Sequence, residues 1–467
     1  MSYTMTIAGK PAAAAGTFGV INPATGEVFA QAPDASDADL EAAVAAAADA
    51  FREWRRDDDA RRAALGAAAK ALSDAAGDLA PILTREQGKP LSDATMEIYG
   101  ASYWLGYFAG LEVTPEVLQD DESARVEVHR QPLGPVAAIT PWNFPVVLAF
   151  WKIAPALRAG NTVVLKPSPF TPLTSLRIGE LLAGVLPPGV LNVISGRDPL
   201  GARLTAHPAI RKISFTGSTA TGKKVAIAAA GDLKRVTLEL GGNDPAIVLD
   251  DADPATIAPG LFSSAFANNG QVCIAIKRVY VPRGLYGDVV DALAAQARQA
   301  TVGDGFAEGV TQGPVNNAPQ FARVGGLVEA ALSAGATAVT GGRPVDGPGY
   351  FYQPTILTGV TEDMAVVAEE QFGPALPVLP YDDLGDAVAR ANNSHFGLGS
   401  SVWTADPERG AELAREIHAG TTWINTHQVV TPAVPFGGVK WSGIGVENGL
   451  PGLHEFTDVH VIHTARR

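Results

Sequence analysis

Short, almost continuously apolar stretches alternate with helical periodicity through the middle of the chain. Residues 136–140, 162–165, 191–194 and 212–215 read as strands, and 147–159, 174–183 and 199–206 as the helices between them. Strands without a polar face are buried on both sides, so this stretch predicts a parallel sheet covered by helices. After Gly241-Gly242 the alternation restarts with strand 246–249, an Ala- and Phe-rich helix, strand 278–281 and helix 286–300. A later helix is predicted from Pro407, at its first turn, to Gly420, just past its end. The restart predicts two open-sheet α/β units joined near 240–243.

The N-terminal third is patterned differently. Asn22-Pro23-Ala24-Thr25-Gly26 is a turn, and Ser36 with Asp39 three residues on reads as a helix cap. Helical pattern then covers 40–54, 61–75, 79–87 and 94–109, and fades into an acidic stretch at 116–123. Val126 and Val128 alternate with Glu127 and His129, which predicts a strand with one solvent face, part of a hairpin projecting from the body. No short-period repeat or low-complexity tail interrupts the chain.

Composition narrows the function classes. With 467 residues and 46% hydrophobic content, the chain can bury a large core. A net charge of −14 disfavours nucleic acid and anionic membrane as partners. The N-terminal residues lack a basic start followed by an apolar run, and the longest apolar stretch, 145–157, carries Lys152. The single cysteine excludes an intrachain disulfide and suits a reducing compartment, so the cytoplasm is expected.

That cysteine, Cys273, follows Asn268-Asn269-Gly270-Gln271-Val272. Glu239 lies between Leu238 and Leu240, where a carboxylate is costly unless it has a role or a partner. A thiol and a carboxylate, each beside a glycine-containing turn and an apolar run, suggest a nucleophile and its water-activating base. In Ile139-Thr140-Pro141-Trp142-Asn143 a strand runs into an amide side chain, at the end of the sheet where such folds bind ligands. Asn143 offers two uncharged N–H donors to a developing oxyanion, and an Asn in a turn beside Pro is the alternative. Lys166, at the exit of an apolar strand before Pro167, could hold a nucleotide's sugar or phosphate or simply be solvated. Phe215-Thr216-Gly217-Ser218-Thr219-Ala220-Thr221-Gly222 could receive a pyrophosphate on backbone N–H groups, and a helix cap explains it equally well.

Taken together and in this order, these segments resemble the aldehyde dehydrogenase superfamily, NAD(P)-dependent and non-acylating. The resemblance runs from Asn22-Pro23-Ala24-Thr25-Gly26 to Gly449-Leu450. It includes Glu369-Glu370-Gln371-Phe372-Gly373-Pro374 and Pro435-Phe436-Gly437-Gly438-Val439-Lys440-Trp441-Ser442-Gly443. It implies Cys273 as nucleophile, Glu239 as general base, and the Asn143 amide with the Cys273 N–H as oxyanion hole. Lys152 and Glu447 match positions that would relay a proton away from Glu239. NAD, with NADP possible, would lie along Ile139, Thr140, Pro141, Trp142 and Asn143. Lys166, Ser168 and Pro169 would flank its adenosine ribose, and Gly217, Ser218 and Gly222 its pyrophosphate. Glu239, Leu240, Gly241 and Cys273 would complete the cleft, with Glu370 at the nicotinamide ribose and Phe372 near the ring. No metal is implied.

The resemblance also implies an architecture. A cofactor domain would take residues 1–111 and 132–240, and a catalytic domain 241–432. Residues 112–131 and 433–467 would form an oligomerisation hairpin and C-terminal segment, making a homodimer or homotetramer. Two details are particular to this chain. The family's Lys-Pro-Ser-Glu run reads Lys166-Pro167-Ser168-Pro169, so a carboxylate that would repel a 2′-phosphate is missing. The positions matching the aldehyde tunnel, Val147, Leu148, Trp151, Ala267, Val272, Ile274, Val430 and Phe436, are all apolar, which favours medium aliphatic or aromatic aldehydes. The competing readings are a cofactor-independent thiol esterase and a catalytically silent sensor or structural protein.

Overall fold

The computed structural model describes residues 2–466. Its first sheet has eight strands, in spatial order Gly443–Ile444, Arg235–Glu239, Lys212–Thr216, Pro135–Ile139, Thr162–Lys166, Leu191–Val193, Met5–Ile7 and Lys10–Ala12. The middle five are parallel. Gly443–Ile444 and Met5–Ile7 flank them antiparallel. From Pro135–Ile139 the chain first builds outward through Thr162–Lys166 and Leu191–Val193, then returns to build the other way through Lys212–Thr216 and Arg235–Glu239. The strand order therefore reverses between Pro135–Ile139 and Lys212–Thr216. Crevices at the carboxyl ends of strands flanking such a reversal are where open α/β sheets hold ligands.

The chain leaves this sheet at Glu239 and enters a second one at Asp244. That sheet orders Thr337–Thr340, Thr355–Thr358, Ala375–Tyr381, Ile276–Pro282, Asp244–Val248, Gly399–Trp403 and Thr421–Ile424, all parallel except the first. Its strands alternate side chains between two apolar clusters: Ile247, Tyr280 and Val402 face one, Ala246, Val248, Val279 and Val281 the other. These are the two buried faces that the unbroken apolar runs predicted.

A third, antiparallel sheet stands apart, formed by Thr457–Ala465, Ala124–Pro132 and Glu116–Asp120. The Asn22–Gly26 turn joins a further hairpin, Gly16–Asn22 with Glu27–Asp34. Ser36 and Asp39 form a complete capping box at the start of helix Asp37–Trp54. The helix predicted from Pro407 ends at Ala414, earlier than its pattern suggested. Gly420 is instead a close-approach position, because a Cβ there would lie 1.7 Å from the Gly437 carbonyl oxygen. Among the described residues no helix is long and apolar enough to cross a membrane.

Candidate active site

Helix Pro254–Phe266 runs into a tight turn whose backbone is left-handed at three successive residues, with φ of 46° at Asn268, 57° at Asn269 and 73° at Gly270. Asn and Gly are the residues that tolerate this conformation. The turn delivers Gln271-Val272-Cys273 to the start of Ile276–Pro282, the central strand of the second sheet. Buried Gln271 donates to the Asn268 and Pro314 carbonyls and accepts from the Asn316 N–H at 2.8 Å. Lys277 Nζ donates to the Val272 and Cys273 carbonyls at 2.9 and 2.7 Å. The Cys273 thiol is thus held on a braced loop. Burial pushes its pKa up to about 12, against the lowering influence of Lys277, and the Glu370, Glu239 and Asp244 carboxylates add to the rise.

Asn143, 2% exposed, reaches this loop from the first sheet. Its Nδ2 donates to the Gln271 carbonyl at 2.8 Å, which leaves the second amide N–H for another acceptor. Glu239 ends its strand close enough to the thiol for its charge to act on it, and neither carboxylate oxygen has a hydrogen-bond partner. Burial raises its pKa well above the usual carboxyl range, Glu447 raises it further, and Lys152 pulls it down. Lys152 and Glu447 form a fully buried pair at 2.5 Å, in which Lys152 also donates to Thr216 Oγ1 and Glu447 accepts from Ser214. An unpartnered buried carboxylate beside a thiol, backed by a lysine–glutamate pair, is arranged to take up and pass on a proton.

A cleft of about 590 Å³ opens over Cys273 at the point where the strand order reverses. Of the cofactor residues implied by the resemblance, Pro141, Trp142, Asn143, Gly217, Ser218, Leu240, Gly241, Cys273, Glu370 and Phe372 line it. Ser218 also caps helix Thr219–Ala230, so the two readings of that segment coexist: a helix N-terminus opens into the cleft. Glu370 accepts from the Gly242 N–H at 3.0 Å and faces Lys277 at 3.5 Å. Phe372, with a φ of 50°, meets Trp142 edge-on at 5.2 Å. The cleft's shape and its helix N-terminus fit an extended phosphate-bearing ligand. Ile139, Thr140, Gly222 and Glu239 are not among the residues lining the cleft.

Lys166, Ser168 and Pro169 lie at the end of the next strand. Lys166 Nζ donates to the Pro167 carbonyl at 3.2 Å, and burial lowers its pKa to about 8 against the opposing Asp198 and Asp34 charges. Pro169 lines a separate hollow of about 750 Å³ with Arg197, Asp198 and Asp34. All eight positions matched to the tunnel belong, with the thiol, to the apolar core packed around the first sheet. There Trp151 stacks on Trp104 at 5.5 Å and meets Phe436 edge-on at 5.6 Å.

Several groups at the site escaped the sequence reading. Gln320 donates to the Gln371 and Phe372 carbonyls at 2.9 and 3.0 Å and so holds Phe372 in its unusual conformation. His395 and Trp441, stacked at 3.8 Å, form one wall of the cleft, with Lys223 over the Trp441 ring. Buried His427 contacts the Ile274 oxygen at 2.8 Å and lies 3.5 Å from Asp244. Of these, only Trp441 sat in a segment already singled out. Among the described residues no group of three or more His, Cys, Asp or Glu side chains is placed to hold a metal ion.

Residues 11–462 match the model of the aldehyde dehydrogenase family. The chain is 41% identical over 457 residues to a phenylacetaldehyde dehydrogenase of Pseudomonas fluorescens, covering 94% of this chain and 91% of the other. The NAD+ complex of an aldehyde dehydrogenase from Bacillus cereus superposes with a TM-score of 0.97 at 37% identity, covering all of this chain and 97% of that one. An NADP-dependent enzyme of E. coli superposes with a TM-score of 0.96 at 37% identity, covering 99% and 98%.

Proposed function

The chain belongs to the aldehyde dehydrogenase family, and from that premise we propose which of its residues carry the chemistry and which aldehydes it takes. It oxidises an aldehyde to the carboxylic acid with a nicotinamide cofactor. The observation that carries the assignment is that Cys273 and Asn143 line one cleft at the strand-order reversal, with the buried Glu239 carboxylate close enough for its charge to act on the thiol.

Cys273 attacks the aldehyde carbon as thiolate, and its thiol proton must first leave because burial holds it on. Glu239 is a buried carboxylate whose charge acts on the thiol and which, unlike Glu370, has no hydrogen-bond partner, and its raised pKa suits it to accept that proton. The free N–H of Asn143 and the Cys273 backbone N–H stabilise the oxyanion that forms at the carbonyl oxygen. NAD(P), when bound, supplies the hydride acceptor that turns the Cys273 adduct into a thioester. Glu239 passes the thiol proton to Lys152 and Glu447, then deprotonates the water that hydrolyses the thioester, and that second proton leaves by the same pair. Retention of Glu239 favours hydrolysis over transfer of the acyl group to coenzyme A.

Pro141, Trp142, Gly217, Ser218, Glu370 and Phe372 would hold the pyrophosphate and nicotinamide half of the cofactor, and Lys166 the adenosine ribose. Pro169 brings no carboxylate to that ribose, but the Asp198 and Asp34 charges act on Lys166 from the same side. Arg197, which a 2′-phosphate would need, is committed to Asp34 through Nε at 3.0 Å and Nη2 at 2.8 Å. NAD is therefore the favoured cofactor. The apolar cluster at Cys273 selects medium aliphatic or aromatic aldehydes over those carrying an acid group. The exposed edge of the third sheet suits pairing with a second copy, as in a homodimer or homotetramer, and the lone thiol suits a reducing compartment such as the cytoplasm.

Absorbance at 340 nm, with NAD and NADP in parallel over a panel of aldehydes, tests this reading. Hexanal or benzaldehyde should be oxidised faster than succinate semialdehyde, with NAD preferred, and Cys273→Ala should abolish the signal. A large preference for succinate semialdehyde would overturn the tunnel assignment, and activity surviving in Cys273→Ala would overturn the nucleophile.

A further inference from the structure

A buried ion pair that takes no part in the scheme above grips the segment carrying Asn143. Lys89 lies in the turn before helix Leu91–Gly110 and Glu97 on that helix, both side chains 1% exposed, with Lys89 Nζ 2.5 Å from Glu97 Oε2. Burying two charges costs several kcal/mol per ion unless further hydrogen bonds complete their shells. Here those bonds all go to one stretch of backbone. Lys89 Nζ donates to the Asn143 carbonyl at 2.9 Å and sits 3.7 Å over the Phe144 ring. Glu97 Oε1 accepts from the Val146 and Val147 N–H groups at 2.8 and 3.1 Å.

The recipients are informative. Helix Val147–Arg158, which carries Lys152, has no capping side chain of its own, so Glu97 caps it from another helix. The Asn143 carbonyl also accepts from Asn268 Nδ2 at 3.0 Å, and Asn268 opens the left-handed turn before Cys273. The ammonium thus fixes the point where the amide segment and the nucleophile turn meet. The ion pair holds residues 143–147 by a carbonyl at one end and by two N–H groups at the other.

We propose that Lys89 and Glu97 are positioning residues that aim the Asn143 amide at the oxyanion. This rests on the reading of Asn143 as oxyanion donor. A donor helps only if it is already in place when charge develops, and displacement by about 1 Å can cost about 100-fold.

The test is a double-mutant cycle on the rate of hydride transfer in a single turnover, followed at 340 nm, with thermal midpoints measured alongside. Asn143→Ala should lower the rate by about 100-fold. Lys89→Met should lower it by about 10-fold in the wild-type background. In the Asn143→Ala background, Lys89→Met should change the rate by less than about 2-fold while still lowering the thermal midpoint. A merely structural lysine would give the same rate loss in both backgrounds, and that outcome overturns the proposal. If Lys89→Met does not fold because Glu97 is left unpaired, Glu97→Gln, which keeps the acceptor for Val146 and Val147, takes its place with the same expected non-additivity. A wild-type rate in Asn143→Ala would instead overturn the oxyanion reading, and the positioning role with it.

Discussion

Glu239 and Cys273 both resist ionisation, and their surroundings make the pH dependence of each step predictable in sign. The base must be unprotonated to activate water, so thioester hydrolysis falls as pH drops through Glu239's raised pKa. Burial is the main cause of that rise, Glu447 adds to it and Lys152 opposes it. Removing the Lys152 charge in Lys152→Met should therefore move the midpoint of the hydrolysis profile to higher pH. Removing the Glu447 charge in Glu447→Gln should move it lower. Glu239→Gln removes both the acceptor of the thiol proton and the base for water, so it should slow the first equivalent of reduced cofactor as well as turnover, the latter by about 100-fold or more. Shifts of both midpoints in the same direction would overturn this electrostatic account. At this scale the sequence was informative where a charge sat in an apolar run, as Glu239, Lys152 and Cys273's surroundings did. Glu97 carried the same signal, because it falls among Ala94, Ile98, Ala101 and Leu105 on the buried stripe of its helix, and it went unread. Gln320 and His427 carried none: each contacts backbone far away in sequence, which only the folded chain brings near.

The turn before Cys273 shows how one element sets the position of a reactive atom. Gly270 has a φ of 73°, and a Cβ there would lie 2.3 Å from the Gly373 carbonyl oxygen, so a side chain meets both backbone strain and rigid backbone. The left-handed conformation alone costs an L-residue about 1–2 kcal/mol. Gly270→Ala should lower the thermal midpoint and reduce kcat by about 10-fold or more, because the relaxing turn carries Cys273 with it. Full activity in Gly270→Ala would show that the turn does not set the thiol's position. Parallel strands such as Pro135–Ile139 and Thr162–Lys166 were legible because burial on both faces leaves them mostly apolar. Met5–Ile7 and Lys10–Ala12 were not, because strands this short at a sheet edge carry too few positions to show a period. The segment after Ala414 misled for a related reason: Gly420 marks a strand passing close to backbone, which in sequence looks the same as a helix stop.

For the whole molecule, the third sheet presents a surface that the single chain leaves uncovered. Thr457–Ala465 is an edge strand whose outer backbone groups face no partner strand in its sheet, and Val459 and Val461 are 58% and 52% exposed. In register, Val461 sits opposite Val128 and His463 opposite Val126, so Val126, Val128, Val459 and Val461 share one face. The alternation of Val126 and Val128 with Glu127 and His129 foretold a strand with two unlike faces. That a C-terminal strand near 456–463 would join this hairpin came from the family resemblance and not from the alternation, and its Val459 and Val461 extend the apolar face. A long edge with apolar side chains, unprotected by proline or bulge, is a template for another strand, so isolation of this sheet would invite uncontrolled association. The proposed pairing with a second copy would cover that edge and leave the cleft over Cys273 open, because none of the sheet's residues lines it. Val461→Lys places a charge at the centre of the apolar face without breaking any hydrogen bond within the sheet. In sedimentation velocity it should shift the wild-type oligomer to a smaller species while hydride transfer to NAD continues. An unchanged sedimentation coefficient would place the oligomer contact elsewhere, and loss of activity together with the oligomer would show that the second copy supports the active site.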